Sequence, residues 1–220
     1  MIADMKTFNK KGLYNSYDKR HKERDALDYY STPIEEVTNI LNKLNLDFKN
    51  MIILEPCCGG GHMYQGIQNY ITSDNYPDAI IATDVAVRPS EIEFPHDTGL
   101  EYDFLSDNYT LPVDTHVDYI IMNPPYSTIE PFTIRALELA ERGVLMLGRL
   151  QFLEGQGRYE NILQNNPPTD VYIYVDRIKC YKDGKVSNGA SSAQAYAWFY
   201  WDLTNKDVDH PRLHWIRRAS

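Results

Sequence analysis

The spacing of apolar residues between positions 34 and 44 predicts an amphipathic helix. Apolar side chains recur there at intervals of three and four residues, which places them on one helix face. The preceding Ser31-Thr32-Pro33 offers a hydroxyl cap and a proline suited to a first helical turn. We therefore predict that a helix begins at this point. Its core-facing positions are Ile34, Val37, Ile40, Leu41 and Leu44.

Short apolar runs further along the chain predict a series of strands. Helical patterns over 63–70 and 130–141 separate several of them, while 85–100 contains Pro89, Pro95 and Gly99 and reads as irregular. The last two runs are joined by a Gly/Ser-rich loop over 183–192 and predict an antiparallel pair. The predicted strands are 51–54, 79–83, 100–104, 117–122, 144–147, 171–178 and 195–201. This order predicts an α/β fold with a doubly wound, mostly parallel, seven-stranded sheet and an antiparallel closing hairpin.

Composition predicts one soluble domain. The chain has 220 residues and is 43% apolar, which is enough to bury a core. It has no apolar run near the length of a membrane span and no signal-peptide pattern, so we expect a cytoplasmic protein with no membrane partner. Cys57, Cys58 and Cys180 form no CxxC or Cys/His spacing, so we expect neither a disulfide framework nor a metal site.

Charge is distributed unevenly along the chain. The net charge is −9, but residues 1–24 carry seven Lys/Arg against three acids, a net of +4 that leaves −13 for the remainder. We predict a basic N-terminal arm over 1–28 and a single catalytic domain over 29–220. Two smaller basic clusters are Arg177-Lys179-Lys182-Lys185 and Arg212-Arg217-Arg218. Contact with nucleic-acid phosphates and an ordinary solvated surface both remain open for these clusters.

Asn123-Pro124-Pro125-Tyr126, directly behind the apolar run 118–122, is the strongest chemical signal in the sequence. The Asn side-chain carbonyl and the next backbone carbonyl can both accept hydrogen bonds from an amino group. The two prolines restrict the backbone, and the Tyr ring can stack on a planar group. The turn follows a strand, and open α/β sheets bind ligands at the carboxyl ends of strands. The motif predicts transfer of a group to a planar nitrogen.

A second site is predicted by acids at the ends of three successive strands. Glu55 precedes the glycine cluster 59–61, and glycines allow close approach of a ligand to the backbone. Asp84 ends the next strand, where an acid can bind ribose hydroxyls, and Asp103 ends the third, with Phe104 beside it to cover an adenine ring. The chain contains neither GxGxxG nor GxxxxGK[ST], which argues against NAD and ATP.

These residues resemble the S-adenosylmethionine-dependent N6-adenine DNA methyltransferases, and their order is most similar to the gamma class of restriction-modification systems and phages. The resemblance covers about 29–201. It rests on Tyr30-Ser31-Thr32-Pro33, Ile53 to Gly61, Thr83-Asp84, Tyr102 to Leu105, Asn123 to Tyr126 and the strand Ala195 to Trp201. It implies a Rossmann-like class I methyltransferase fold, S-adenosylmethionine as cofactor and DNA as partner. The cofactor contacts it implies are Thr32, Pro33, Glu55, Pro56, Cys57, Gly59, Gly61, Asp84, Asp103 and Phe104.

The resemblance also implies a mechanism. Asn123 and the Pro124 carbonyl would hold the adenine amino group, and Tyr126 would stack on a base that is flipped out or unpaired. Phe152 would contact the other side of that base, and Arg149 and Arg158 are the remaining expected substrate contacts. Core packing is an equally open role for Phe152.

One departure from the gamma class leaves the substrate open. Only about 94 residues follow Tyr126, too few for a separate large target-recognition domain. Methylation of adenine N6 in RNA is therefore a rival, since RNA can be recognised by shape. Methylation of a protein glutamine at N5 is a second rival, and a non-catalytic binding scaffold is a third.

Overall fold

A computed structural model of the chain describes residues 30–86, 100–106, 109–110, 116–182, 194–205 and 208–219. The strands of its main sheet are β2 (Ile52–Glu55), β3 (Ala79–Asp84), β4 (Leu100–Glu101), β5 (Val117–Met122), β6 (Ala140–Arg149), β7 (Asp170–Tyr174), β9 (Tyr196–Asp202) and β10 (Arg212–Ile216). These eight strands lie in the order β10-β7-β9-β6-β5-β2-β3-β4. A separate two-stranded sheet pairs β1 (Tyr30–Ser31) with β8 (Tyr181–Lys182).

The predicted seven-stranded sheet with an antiparallel closing pair is confirmed. β9 lies antiparallel to both β6 and β7, and the other strand pairs of the main sheet are parallel. The sequence did not predict β10, which pairs with β7 and adds an eighth strand beyond the seven. The third predicted strand, 100–104, is shorter than expected, since β4 contains only Leu100 and Glu101.

Three helices cover the two faces of the sheet. They are α1 (Ile34–Leu44), α2 (His62–Tyr70) and α3 (Ile129–Leu139). α1 and α2 contribute to a buried cluster with Ile53 and Ile121, while α3 contributes to another with Leu54 and Ile120. Adjacent strand residues thus point to opposite faces, because side chains alternate along a strand. Helices therefore pack on both faces of the sheet, as expected for the predicted doubly wound fold.

The connection after β6 contains short helical turns. A 3-10 turn spans Leu150–Leu153, and a short α-helix, α4 (Gln156–Arg158), continues into a π-helical segment over Tyr159–Leu163. Within this connection, the side chains of Phe152 and Ile162 are buried.

The hydroxyl cap predicted for α1 is wrong. Pro33 occupies the N-cap position and no side chain caps the helix. Thr32 is 3% exposed, and its hydroxyl oxygen instead accepts from the Asn123 side chain at 2.9 Å. A cap and a tertiary contact compete for the same hydroxyl, and the buried contact is the one formed.

Several sequence predictions lie outside the described residues. These are the basic arm 1–28, the greater part of the irregular segment 85–100 and the Gly/Ser-rich loop 183–192. Within the described part of the chain, no helix combines the length and the apolar character needed to cross a membrane.

Candidate methyl-transfer site

The Asn123 side chain presents an unused acceptor at the carboxyl end of β5. Its Nδ2 donates to the Tyr30 backbone oxygen at 3.0 Å and to the Thr32 hydroxyl at 2.9 Å. A backbone carbonyl can only accept, so the amide nitrogen must face Tyr30. The Asn123 Oδ1 is buried and accepts no hydrogen bond from any described residue. A buried acceptor without a donor is costly, so this oxygen is suited to receive a donor from a ligand.

Tyr126 is anchored through its hydroxyl and covered on its ring. The hydroxyl donates to the Tyr196 hydroxyl at 3.0 Å, and burial raises the pKa of Tyr126. The Tyr30 ring lies 5.2 Å away, centre to centre, and the Arg149 guanidinium carbon lies 4.0 Å from the ring centre. Tyr196 also hydrogen-bonds Cys180. Tyr126 is therefore neutral, and its ring is fixed in place.

The glycine turn after β2 is folded around Asp84, at the end of the neighbouring β3. Gly59 donates its backbone N–H to the Asp84 Oδ2 at 2.8 Å. Gly59 and Gly61 have φ values of 53° and 85°, a left-handed region that glycine adopts without a Cβ clash. The structure brings the glycine turn and Asp84 into direct contact. Their contact with a cofactor stays a prediction.

Glu55, the last residue of β2, is a buried acid at the start of the same turn. It is 1% exposed, and its Oε2 accepts no hydrogen bond from the described residues. Burial, followed by the charge of Asp84, raises the pKa of Glu55 well above its usual value. A bound ammonium group would offset both effects.

Cys57 joins the two halves of the site. The backbone N–H of Asn123 hydrogen-bonds the Cys57 thiol, and burial raises the pKa of this thiol, so it is protonated. The glycine turn and the Asn-Pro-Pro-Tyr turn are therefore in direct contact. Pro56 and Pro124 are buried beside them, and Pro33 and Pro125 are half-buried.

Asp103 and Phe104 follow β4, but the two side chains have different surroundings. The Asp103 Oδ1 accepts from the Leu105 backbone N–H at 3.1 Å. Phe104 is 1% exposed, and its ring packs against Phe132 and Tyr109 at 5.2 Å from each. This ring lies in the core, so the prediction that its face covers a bound adenine does not match the structure.

Phe152 and Arg158 also differ from their predicted roles. Phe152 is 3% exposed and packs against Phe199 at 5.0 Å, which is the core-packing alternative. The Arg158 guanidinium donates to the backbone oxygens of Gln151, Phe152 and Glu154, and so closes the turn after β6. Both residues belong to the connection after β6, and the turn there directs them into structural contacts. Arg149 is the predicted substrate contact that does reach Tyr126.

The site depends on contacts that sequence reasoning missed. The backbone oxygen of Tyr30 orients the Asn123 amide, and the Tyr196 hydroxyl accepts from Tyr126. The available sequence signal was the abundance of tyrosine around Tyr30 and Tyr196. The contact between Tyr30 and Asn123 joins residues 93 apart in sequence, and the contact between Tyr126 and Tyr196 joins residues 70 apart.

A group of possible metal ligands lies at the opposite side of the sheet from the candidate site, near the amino end of β5. The ligand atoms of His116, Asp118 and Glu141 lie within 4.8 Å of one another. Asp118 already accepts from the Ile52 backbone N–H at 2.8 Å and from the Arg142 Nε at 3.2 Å. The positive charge of Arg142 would repel a metal ion bound at Asp118, so the structure gives these three residues a structural role.

Comparison with solved structures identifies the architecture. A type I restriction-modification methyltransferase subunit from Streptococcus thermophilus superimposes with a TM-score of 0.60 at 12% identity, over 86% of this chain and 47% of that one. The fold is that of the class I methyltransferases.

Two other structures agree with this assignment of the class I methyltransferase fold. A proposed RNA methyltransferase from Pyrococcus horikoshii gives a TM-score of 0.55 at 15% identity, over 80% of this chain and 88% of that one. A proposed class I S-adenosylmethionine-dependent methyltransferase from Listeria monocytogenes gives 0.55 at 16% identity, over 84% and 63%. This chain thus spans about half the length of the Streptococcus subunit. No protein-family profile and no curated protein sequence matches it.

Proposed function

We propose that this protein transfers a methyl group from S-adenosylmethionine to the N6 amino group of adenine in DNA. The observation that carries the proposal is the buried, unused Oδ1 of Asn123. The Asn123 Nδ2 donates to Tyr30 and Thr32 and so fixes the orientation of the amide. The Oδ1 can therefore act only as an acceptor toward a ligand. An exocyclic amino group on a flat base supplies the donor that this oxygen lacks.

The residues of the glycine turn fit S-adenosylmethionine as the cofactor. Glu55 would accept from its ammonium group, and Asp84 and the backbone of the turn would receive its ribose. The orphaned Glu55 Oε2 and the left-handed conformation of Gly59 and Gly61 support this assignment. The cofactor supplies an electrophilic methyl group, so the protein's task is to bring the amine to it in line.

Asn123, Pro124 and Tyr126 would do this by orientation and hydrogen bonding. The Asn123 Oδ1 and the Pro124 carbonyl would accept hydrogen bonds from the two amino N–H groups and direct the nitrogen lone pair toward the cofactor side of the site. An aromatic amine loses its extra proton readily once it is alkylated, so no residue has to act as a strong base. The neutral Tyr126 phenol would contribute its ring face rather than a proton.

DNA is proposed rather than RNA or protein because the order of the sequence motifs is most similar to that of the N6-adenine DNA methyltransferases. One neighbour with the same fold is a restriction-modification subunit and another a proposed RNA methyltransferase, so RNA adenine is the second candidate. Both acceptors must leave a stacked helix to reach Asn123, or be unpaired from the start.

The test uses purified protein, tritiated S-adenosylmethionine and three acceptors in parallel: unmethylated DNA, total RNA and a protein extract. After digestion, we expect label in N6-methyl-deoxyadenosine. Label in RNA or protein alone would overturn the DNA assignment and leave methyl transfer in place. Cofactor binding without label in any acceptor would favour the non-catalytic scaffold.

A further inference from the structure

Two basic segments that are far apart in sequence lie together at the carboxyl ends of the strands, on the side of the sheet that carries the candidate site. β7 and β10 are parallel, with Tyr174 opposite Ile216, and both run in the same direction as β5 and β6. Arg177 and Lys179 follow β7, and Arg217 and Arg218 follow β10. All four therefore lie at the carboxyl ends of the strands, where Asn123 also lies. We name these four residues the basic strip.

The two parts of the basic strip are held side by side by hydrogen bonds from two backbone N–H groups. The Val175 N–H donates to the Ile216 oxygen at 3.1 Å, and the Arg218 N–H donates to the Asp176 Oδ2 at 3.4 Å. The Arg217 side chain is 82% exposed and pairs with Asp176 at 3.7 Å. An exposed pair of this kind is worth about 0–1 kcal/mol, so a phosphate can readily replace the carboxylate as partner.

Arg177 and Lys179 are presented to solvent by the alternation of their segment. Both are exposed, whereas Ile178 between them is 3% exposed and packs in the core. The buried Ile178 thus fixes Arg177 and Lys179 on the outer surface.

A short chain of contacts leads from the basic strip to the catalytic turn. Cys180, next to Lys179, hydrogen-bonds Tyr196, whose hydroxyl accepts from Tyr126. Tyr181 pairs with Ser31, and the adjoining Tyr30 oxygen accepts from Asn123. From Cys180 back to Arg177 the chain spans at most about 10 Å, since each residue adds about 3.3–3.6 Å. That distance corresponds to about three nucleotides of one strand at about 3.4 Å each.

We infer that the basic strip binds the sugar-phosphate backbone of the substrate strand on one side of the base that enters the site. This inference rests on the proposed function and specifies how an acidic protein holds a polyanion. The net charge of −9 is set by the whole surface, whereas binding depends on the cations that face the strand. The contacts read no base sequence, and they place the strand so that one base can reach Asn123.

The test measures how salt weakens binding of fluorescein-labelled DNA oligonucleotides, single- and double-stranded, to the full chain with S-adenosylmethionine. The test variants are Arg177→Gln with Lys179→Gln, and Arg217→Gln with Arg218→Gln. The matched control is Lys43→Gln with Lys49→Gln, since these lysines are exposed at the end of α1 and in its connection to β2, at the amino edge of the sheet. Two lost phosphate contacts should lower the slope of log K against log salt by about 1.4 on single strands and about 1.8 on duplex.

We expect both test variants to show this loss of slope and a higher KM for DNA with kcat unchanged, while the control matches the unaltered protein. If the test variants show the same slope of log K against log salt as the unaltered protein, the proposed role of the basic strip is wrong. An equal loss in the control would also overturn it, because that loss would show a general charge effect. If the unaltered protein binds DNA but transfers no methyl group to it, the proposed function fails and the binding result still decides the basic strip. Failure of the unaltered protein to bind either oligonucleotide would overturn both.

Discussion

The Arg149 guanidinium carbon lies 4.0 Å from the centre of the Tyr126 ring, on the residue proposed to stack on the substrate base. Arg149 ends β6 and is paired across the sheet with Tyr196, whose hydroxyl holds Tyr126. Its Nε is buried and donates to no described residue. A planar cation therefore already lies on the ring that a flat base would approach.

We expect Arg149→Met to raise the KM for DNA by about 5- to 30-fold, the equivalent of the 1–2 kcal/mol of a partly desolvated cation–π contact. Methionine keeps much of the length and apolar character of arginine and removes the charge and the planar fork. Arg149→Lys is the matched control that keeps the charge alone, and it should recover only part of the affinity. Steady-state kinetics measures both. An Arg149→Met protein with the KM of the unaltered enzyme would remove Arg149 from the substrate site.

Asn123→Ala should reduce methyl transfer by at least about 100-fold, the scale seen when one positioned transition-state hydrogen bond is removed. S-adenosylmethionine affinity should stay close to that of the unaltered protein, because Asn123 is proposed to contact the base. The tritium assay and a calorimetric titration measure these two quantities separately.

Thr32→Val is the companion variant to Asn123→Ala. It keeps the shape of the side chain and removes the hydroxyl that orients the Asn123 amide. We expect a smaller loss in kcat, because Tyr30 still fixes the amide. Full activity of Asn123→Ala would contradict the mechanism.

Asp84→Ala should weaken S-adenosylmethionine binding by about 1–3 kcal/mol, the cost of losing a charged hydrogen-bond partner. Part of this loss comes from the glycine turn, because the Asp84 carboxylate also accepts from the Gly59 N–H. Asp74→Ala makes the same charge change at an exposed position and should leave binding unaltered. Equal affinity of the Asp84 and Asp74 variants would exclude Asp84 from the cofactor site.

Glu55 should make the ligand-free protein less stable as pH rises. Its pKa is raised in the folded state, so the folded protein holds a proton that the unfolded chain releases at lower pH. The contribution of Glu55 to stability is therefore greatest below its ordinary pKa of 4.5 and falls as pH rises through the window up to the folded pKa. Glu55→Gln should remove this fall and stabilise the ligand-free protein at neutral pH, as measured by urea unfolding at several pH values.

The same Glu55→Gln variant should bind S-adenosylmethionine more weakly at neutral pH, since the uncharged amide cannot form an ion pair with the ammonium group. In the unaltered protein, affinity should rise with pH as Glu55 loses its proton. A pH-independent affinity would show that Glu55 does not pair with the cofactor.

Most of the order of elements, and the segments in which the candidate site lies, could be predicted from the amino-acid sequence alone. The regular apolar spacing of 34–44 and the buried runs of β2, β3 and β5 predicted their elements, because local periodicity reports which face is buried. Asn123 and Asp84 were identified because a strand end followed by a polar side chain predicts a place on the ligand edge of the sheet.

The role of each of these side chains depends on contacts that form only in the folded chain. Thr32 holds Asn123 instead of capping α1, Phe152 and Phe104 pack in the core, and Arg149 reaches Tyr126. Each outcome depends on a partner about 23 to 91 residues away in sequence or on the direction of a turn, and no local pattern encodes either. The strand β10 and the joining of two basic segments depend in the same way on pairing with β7, which only the assembled sheet provides.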